Sequence, residues 1–296
     1  MINCGFVGLL GLPNVGKSSF LNNVLGEKIS IVSNKPQTTR QAFSGIVSTK
    51  EYQLIFLDAP GYVPDKPGLF NFLHAEFQKV IERSELLMVL ISHEQRETSE
   101  FNNFYEKIKA SGKPIFVLFT KTDIEPTEFV MGLKSQLKTD NKNFGEWSLH
   151  NKDKSAAESL LKEVSRDLKA EIHPLYDPDM ISLDQTRDIV AEFIREQCFL
   201  QLDKEIPFGI GIVIKSFKRE KGLRHIQANI LIEKENHKAI VIGKSGSRLK
   251  NIGKQARAKI EELLGEKIFL GLHVAHKKNW QKSSAIMKEV GYVHDK

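Results

Sequence analysis

The stretch Gly11-Leu12-Pro13-Asn14-Val15-Gly16-Lys17-Ser18 has the residue types and spacing from which chemistry follows most directly. It is a complete G-x-x-x-x-G-K-[ST] pattern. An apolar run, Phe6 to Leu10, precedes it, and a helical pattern with Phe20, Leu21, Val24 and Leu25 follows. In that strand, loop and helix order, glycines let backbone N–H groups close around phosphate oxygens at a helix N-terminus. Lys17 is spaced to reach β- and γ-phosphates and the Ser18 hydroxyl to sit on Mg²⁺, with Ser19 beside it in the nucleotide-binding set. The ligand class implied is a nucleotide.

Further parts stand at the ends of later apolar runs. Asp58-Ala59-Pro60-Gly61 offers a carboxylate that can hold the metal through water and a Gly61 N–H for the γ-phosphate. Thr120-Lys121-Thr122-Asp123 looks like the Asn-Lys-x-Asp guanine element of GTPases. Asp123 can accept two hydrogen bonds from the guanine edge, a donor pattern that adenine lacks. Thr120 stands where that element has Asn. Its hydroxyl can tie the loop to neighbouring groups but offers no amide, which leaves guanine selectivity open. Lys35-Pro36-Gln37-Thr38-Thr39-Arg40 lies where a switch loop belongs, with Thr39 the residue expected to close over Mg²⁺. Ser148-Leu149 matches a base-contacting Ser-Ala loop in part, and Ser155-Ala156 lies too far along to serve.

Positioning these residues requires an α/β sheet with ligand at the carboxyl ends of its strands. Strands are predicted over Ile2–Leu10, Ala42–Ser48, Gln53–Asp58, Leu86–Ser92, Pro114–Lys121 and Phe144–Leu149, and helices near 69–83, 99–110, 127–138 and 154–168. A chain of 296 residues with 41% hydrophobic content is long enough for two domains. No apolar run approaches the roughly 20 residues of a bilayer span. Only two cysteines occur, Cys4 and Cys198, both in core-like patterns, which points to buried thiols and a cytosolic protein.

Charge divides the chain unevenly. From Gln201 onward 20 Lys and Arg face 10 Asp and Glu, against 43 and 37 in the whole chain, so the first 200 residues carry 23 against 27. The entire positive excess sits in the last third, as expected of an end that meets a polyanion. Strands near 210–217, 226–233 and 268–274 are predicted there. Two helices, near 237–242 and 248–264, flank Gly243-Lys244-Ser245-Gly246. Val-Ile-Gly-x-x-Gly between helices resembles a KH domain of the bacterial type, whose GxxG loop clamps about four nucleotides. Lys244, Ser245, Arg248, Lys250 and Lys254 supply charge and polar contact, within a positive stripe extending to Lys238, Arg257 and Lys259. Ile242, Leu249 and Ile252 are expected to floor the base groove. His273 and His276 straddle a strand end with no nearby cysteine, so no metal site is assigned to them.

Together these motifs resemble the Era family of GTPases over nearly the whole chain. Gly-x-Pro-Asn-Val-Gly-Lys-Ser and Gln-Thr-Thr-Arg are similar to Era as they stand, as are Gln185-Thr186-Arg187 and Ile194-Arg195-Glu196 in a connecting helix. The resemblance implies a P-loop GTPase domain (residues 1–172, a mixed, mostly parallel sheet with helices on both faces) and a connecting segment (173–204). An α+β KH type II domain with a C-terminal basic helix (205–296; Lys277, Lys278, Lys282 and Lys288) completes the chain. It implies GTP, GDP and Mg²⁺ as ligands, with Lys17, Thr39, Gly61 and Asn14 in catalysis, Asn14 at a K⁺ position. Tyr62 stands where many GTPases place a catalytic Gln, so intrinsic turnover is expected at or below the roughly 10⁻⁴ s⁻¹ of an unassisted small GTPase. The partners implied are the 3′ end of 16S ribosomal RNA and the small ribosomal subunit, met by a monomer, with peripheral contact at the inner membrane as a further property of the family. Two other functions fit the same motifs: an RNA chaperone indifferent to nucleotide, and an ATP-dependent RNA-remodelling protein.

Overall fold

The structure is a computed structural model and describes residues 1–32, 35, 38–64, 66–140, 142–148, 154–220 and 222–292. The chain forms two compact units. The first comprises residues 1–30, 39–64 and 73–183, and the second residues 31–38, 65–72 and 184–296. Among the described residues no helix is long and apolar enough to cross a membrane.

The first unit runs β1 (Ile2–Leu10), α1 (Lys17–Leu25), β2 (Phe43–Ser48), β3 (Tyr52–Asp58), most of α2 (Leu69–Arg83), β4 (Leu86–Ser92), α3 (Ser99–Ala110), β5 (Ile115–Thr120), α4 (Glu128–Thr139), β6 (Phe144–Trp147), α5 (Lys154–Ser165) and β7 (Lys169–Glu171). Its sheet has the order β2-β3-β1-β4-β5-β6. All neighbours pair in parallel except β2, which is antiparallel to β3. Continuous apolar runs explain this. Every residue of β3 and β4 is buried, as strands covered on both faces require. Phe20 of α1 sets the helix against the sheet through edge-to-face contacts with Phe56 and Trp147. Thr98 and Thr127 cap α3 and α4 by accepting from the Phe101 and Val130 N–H groups.

Two local features depart from the expected pattern. The helix expected to reach residue 168 stops at Ser165, and β7 pairs antiparallel with Ile2–Cys4 of β1, where β1 has no partner in β4. The segment 173–183, expected as a connector, is tied along the sheet edge. Gln53 exchanges two hydrogen bonds with the Tyr176 backbone, Ile46 N–H donates to the Ile181 carbonyl, and Leu183 N–H donates to Ser44 Oγ. Edge strand β2 is thereby covered.

In the second unit α6 (Thr186–Gln201) precedes β8 (Gly211–Glu220), β9 (Leu223–Ile232), α7 (His237–Ile242), α8 (Ser247–Leu264), β10 (Ile268–His276) and α9 (Ser284–Val290). The sheet order is β10-β9-β8, with β9 and β10 parallel and β8 antiparallel to β9. The parallel pair needs a crossover, and α7 and α8 supply it. The C-terminal basic helix does not form as expected. Lys277 and Lys278 precede a 3-10 turn over Trp280–Lys282, and only Lys288 lies on the seven-residue α9. The left-handed Asn279 interrupts the helix, while buried Trp280, Met287 and Tyr292 hold the segment down. The Trp280 indole donates to the Gly209 carbonyl at 2.9 Å.

Candidate nucleotide and RNA sites

The phosphate loop spans the gap between β1 and α1. Asn14 (φ 64°) and Gly16 (φ 99°) are left-handed, which turns successive N–H groups toward one concavity. Gly11 is required by space: a Cβ there would lie 2.7 Å from both the Leu90 carbonyl and Val15 Cγ2. Leu12 and Val15 are buried, Pro13 is half-buried and Asn14 is exposed. The Asp58–Gly61 segment lies against this loop, with Tyr62 N–H donating to the Gly11 carbonyl at 3.1 Å. A Cβ on Gly61 would approach Pro13 Cα and N to 3.0 Å. Lys17, buried, donates from Nζ to the Gly11 and Leu12 carbonyls at 3.2 and 3.1 Å. Burial lowers its pKa to about 8, against the pull of the Asp58 charge.

Three oxygen donors converge beside it. Ser18 Oγ donates to Asp58 Oδ2 at 2.6 Å and lies 3.0 Å from Thr39 Oγ1. Asp58 is fully buried, and burial raises its pKa to about 6 despite the Ser18 hydrogen bond and the Lys17 charge. Among the described residues its Oδ1 is buried without a hydrogen-bond partner within 3.5 Å. A hard cation with several open positions for phosphate oxygens and water fits this set, so Ser18, Thr39 and Asp58 suit Mg²⁺. Among the described residues no group of three or more His, Cys, Asp and Glu is placed to hold a metal ion.

At the base end, the Thr120 hydroxyl donates to the Val15 carbonyl of the phosphate loop at 2.6 Å, wholly buried. Thr120 thus ties the loop that follows β5 to the phosphate loop without an amide. Lys121 is left-handed (φ 55°) and pairs with Glu94 at 2.6 Å. Asp123 is exposed, Ser148 is half-buried, and Leu149 lies outside the described residues. Of the switch stretch, Pro36 and Gln37 also lie outside them. Thr120→Val, close to isosteric, strips the Val15 carbonyl of this donor. Nucleotide affinity measured by displacement of a fluorescent GDP should fall about 5- to 150-fold, while Thr120→Ser retains most of it.

In the second unit the GxxG turn is built from left-handed residues, with Gly243 at φ 74°, Ser245 at 51° and Gly246 at 76°. A Cβ on Gly243 would lie 2.7 Å from Arg248 Cβ. Lys244 is exposed, whereas Arg248 spends one guanidinium N–H on the Ile240 carbonyl at 2.9 Å. A groove of about 460 Å³ runs along α8 and β10, lined by Gly246, Leu249, Lys250, Gly253, Lys254, Arg257, Leu270 and Leu272. Its floor differs from expectation. Ile252 is fully buried with Ala256 and Ile260 on the core side of α8, and Ile242 is half-buried and does not line the groove. Leu270 and Leu272 take their place.

Two family models match, one described as 50S ribosome-binding GTPase over residues 6–121 and one as KH domain over residues 205–281. The GTPase Era of Ruminiclostridium cellulolyticum is 38% identical over 99% of this chain and 98% of its own length. That of Clostridium kluyveri is 38% identical over 99% and 100%. The chain belongs to the Era family of GTPases. Two solved Era structures match over 99% of this chain and all of their own, each at 31% identity and TM-score 0.90. One is an Aquifex aeolicus Era variant bound to GDP and AlF4⁻, and the other is Era with MgGDPNP and nucleotides 1506–1542 of 16S ribosomal RNA.

As an Era-family GTPase the chain hydrolyses GTP, and Tyr62 bears on how. Its ring is buried against Phe77 and Phe104, with His74 at 6.4 Å between centroids, so its side chain serves the packing of α2 and α3. Sequence reasoning missed Glu94 as the partner of Lys121, and Gly253, Leu270 and Leu272 as groove residues in this Era-type KH domain, whereas Arg257 of the expected positive stripe does line the groove. Gly253 carried a readable signal: a glycine inside a helix costs about 1 kcal/mol relative to Ala and calls for a reason. A Cβ there would meet Leu272 Cδ1 at 3.4 Å.

Proposed function

We propose that this chain is a GTP-driven switch that binds the 3′ end of small-subunit ribosomal RNA and assists assembly of that subunit, acting in the cytosol as a monomer. The observation that carries the reading is the groove along α8 and β10. It has a leucine floor on which splayed bases can rest, a rim of Lys250, Lys254 and Arg257, and a left-handed GxxG turn at its end. An Era of the same fold has been solved with nucleotides 1506–1542 of 16S ribosomal RNA.

Lys17, released from the Gly11 and Leu12 carbonyls, turns its ammonium to the β- and γ-phosphates, and the loop N–H groups take the remaining oxygens. Ser18, Thr39 and Asp58 hold Mg²⁺, which when bound neutralises charge on the phosphates. Gly61 N–H faces the γ-phosphate, and Asp123 reads guanine. Asn14, exposed at the loop tip, is the position for K⁺. With the Tyr62 ring turned into the core, no side chain at that position orients the attacking water. Hydrolysis is therefore slow until RNA or the ribosome assists. Lysines on the second unit leave peripheral contact with an anionic membrane as an additional association.

Anisotropy with a labelled RNA of the 16S 3′-terminal sequence tests this. With about four phosphates met by Lys244, Lys250, Lys254 and Arg257, log affinity should fall against log salt with a slope near −3. A scrambled RNA of the same length should bind more weakly. Equal affinity for the two RNAs would overturn the ribosomal assignment.

A further inference from the structure

His93, the residue that follows β4, is buried, and it grips the turn after β5 from both sides. Its backbone N–H donates to the Thr120 carbonyl at 2.9 Å, and its carbonyl accepts from Thr127 N–H at 3.0 Å. Its ring Nδ1 lies 2.7 Å from the Ile124 carbonyl. Thr120 and Ile124 stand immediately before and after the segment Lys121–Asp123. That segment closes on itself through Ile124 N–H, which donates to the Lys121 carbonyl at 3.0 Å. All of these residues lie within the first unit.

The other ring nitrogen decides which proton is used. His93 Nε2 lies 2.9 Å from Nζ of Lys134 on α4. The same ammonium pairs with Glu146 of β6 at 2.9 Å and sits 4.9 Å from the centre of the Phe119 ring. A carbonyl only accepts and an ammonium only donates. The lone pair therefore faces Lys134, and the proton is on Nδ1, where it serves Ile124.

The turn needs such a clamp. Lys121 is left-handed at φ 55°, a conformation that a residue with a side chain keeps only where its surroundings over-determine it. Asp123, Ile124 and Glu125 are all exposed, so apolar packing does not hold this stretch. Glu94, next to His93, takes the Lys121 ammonium at 2.6 Å and adds a third hold from the same strand end.

We infer that His93 is a positioning residue for guanine recognition. It fixes the Ile124 carbonyl, and with it the backbone that carries Asp123, while Lys134 selects the ring tautomer that does so. The inference rests on Asp123 as the reader of the guanine edge. A carboxylate that takes the N1–H and the 2-amino group together must present both oxygens in the plane of the base, and paired hydrogen bonds of this kind depend on orientation. A loosened turn therefore loses discrimination between bases first.

The test uses the full chain and competition binding of GDP and inosine diphosphate, whose base lacks only the 2-amino group. The wild type should prefer GDP about 10- to 100-fold, the worth of one hydrogen bond to a charged group. His93→Gln can still reach Lys134 but offers no donor at the Nδ1 position, so the preference should shrink at least about 5-fold. His93→Asn places an amide N–H near the Nδ1 position and should keep most of it. Lys134→Met keeps the contact with Phe119 and removes the donor to Nε2. It should fall between the two, and it serves alone if the His93 variants do not fold. Asp123→Ala is measured alongside. If Asp123→Ala leaves the preference intact, the reading of Asp123 fails first and takes the inference with it. If Asp123→Ala abolishes the preference while folded His93→Gln, or Lys134→Met in its place, keeps the wild-type ratio, the positioning role is wrong, even where the thermal midpoint drops. Equal loss of preference in His93→Asn and His93→Gln would overturn the Ile124 carbonyl as the point of action.

Discussion

Affinity for GTP with Mg²⁺ is expected to be greatest between about pH 6 and about pH 8 and to fall on both sides, because Asp58 and Lys17, the two buried charged groups of the proposed nucleotide site, titrate there. Asp58 is raised from 3.8 to about 6 by burial. Its neutral form favours the ligand-free fold. That contribution is fully present below its ordinary pKa and is lost as pH rises through about 6. Mg²⁺ needs the carboxylate, so below about 6 binding must expel a proton, and affinity drops up to tenfold per pH unit. Lys17 is shifted the other way, from 10.5 to about 8. Its neutral form favours the ligand-free fold at high pH, and this contribution is lost as pH falls through about 8. Phosphate needs the ammonium, so above about 8 binding takes up a proton and weakens again. Calorimetry in two buffers of different ionisation enthalpy should register proton release on the acid side and uptake on the alkaline side. A flat profile across pH 5 to 9 would sink this account.

Asp58→Asn separates the contributions. It should abolish the acid limb and weaken Mg²⁺-dependent binding. The ligand-free protein should gain thermal stability near neutral pH, because the buried charge opposes folding by up to about 3 kcal/mol, a two-unit shift. The gain will be smaller in practice, since the same substitution removes the charge that steadies the Lys17 ammonium.

The nucleotide site was legible because its chemistry is local. Anion binding at a helix N-terminus demands glycines and a lysine at fixed spacing, and Gly11 and Gly61 sit where any Cβ would collide. The central strands were legible for a different reason. A run such as Leu86–Ser92, buried throughout, has few alternatives. Strand β7 was not legible: Lys169, Ala170 and Glu171 are all exposed and carry no pattern, and their pairing depends on the free edge of β1. The groove floor shows the same limit. Helical spacing puts Ile252, Ala256 and Ile260 on one stripe, but which stripe faces the core is settled by α6 and β10, against which α8 packs. Least legible was α6. Its apolar stripe of Ile189, Val190, Phe193, Ile194 and Cys198 was plain, and a helix with such a stripe ordinarily turns its charges to solvent. Here Glu192, Arg195 and Glu196 are buried as well, because Val32 N–H, the Thr38 carbonyl and Lys259 of α8 meet them on the other side.

Lys244→Asp combined with Ser245→Asp should cost RNA affinity at least about 100-fold at moderate salt, since it removes one cation and places two anions where phosphates must approach. The design avoids the usual ambiguity of loop substitutions. Ser245 is left-handed at φ 51°, a conformation that Asp tolerates better than most residues, and both side chains are exposed. The thermal midpoint and GDP affinity should therefore not move. Gly243→Ala is the complementary change. It adds no charge, but it forces a side chain into positive φ and to within 2.7 Å of Arg248 Cβ, so it perturbs the shape of the turn. If charge at the turn dominates, the double Asp variant loses far more affinity than Gly243→Ala, and its salt slope flattens by about one unit for the lost Lys244 contact. If backbone approach dominates, the two lose similar amounts and Gly243→Ala keeps the wild-type slope. Retention of affinity by the double Asp variant would place the RNA contact elsewhere than at the turn between α7 and α8.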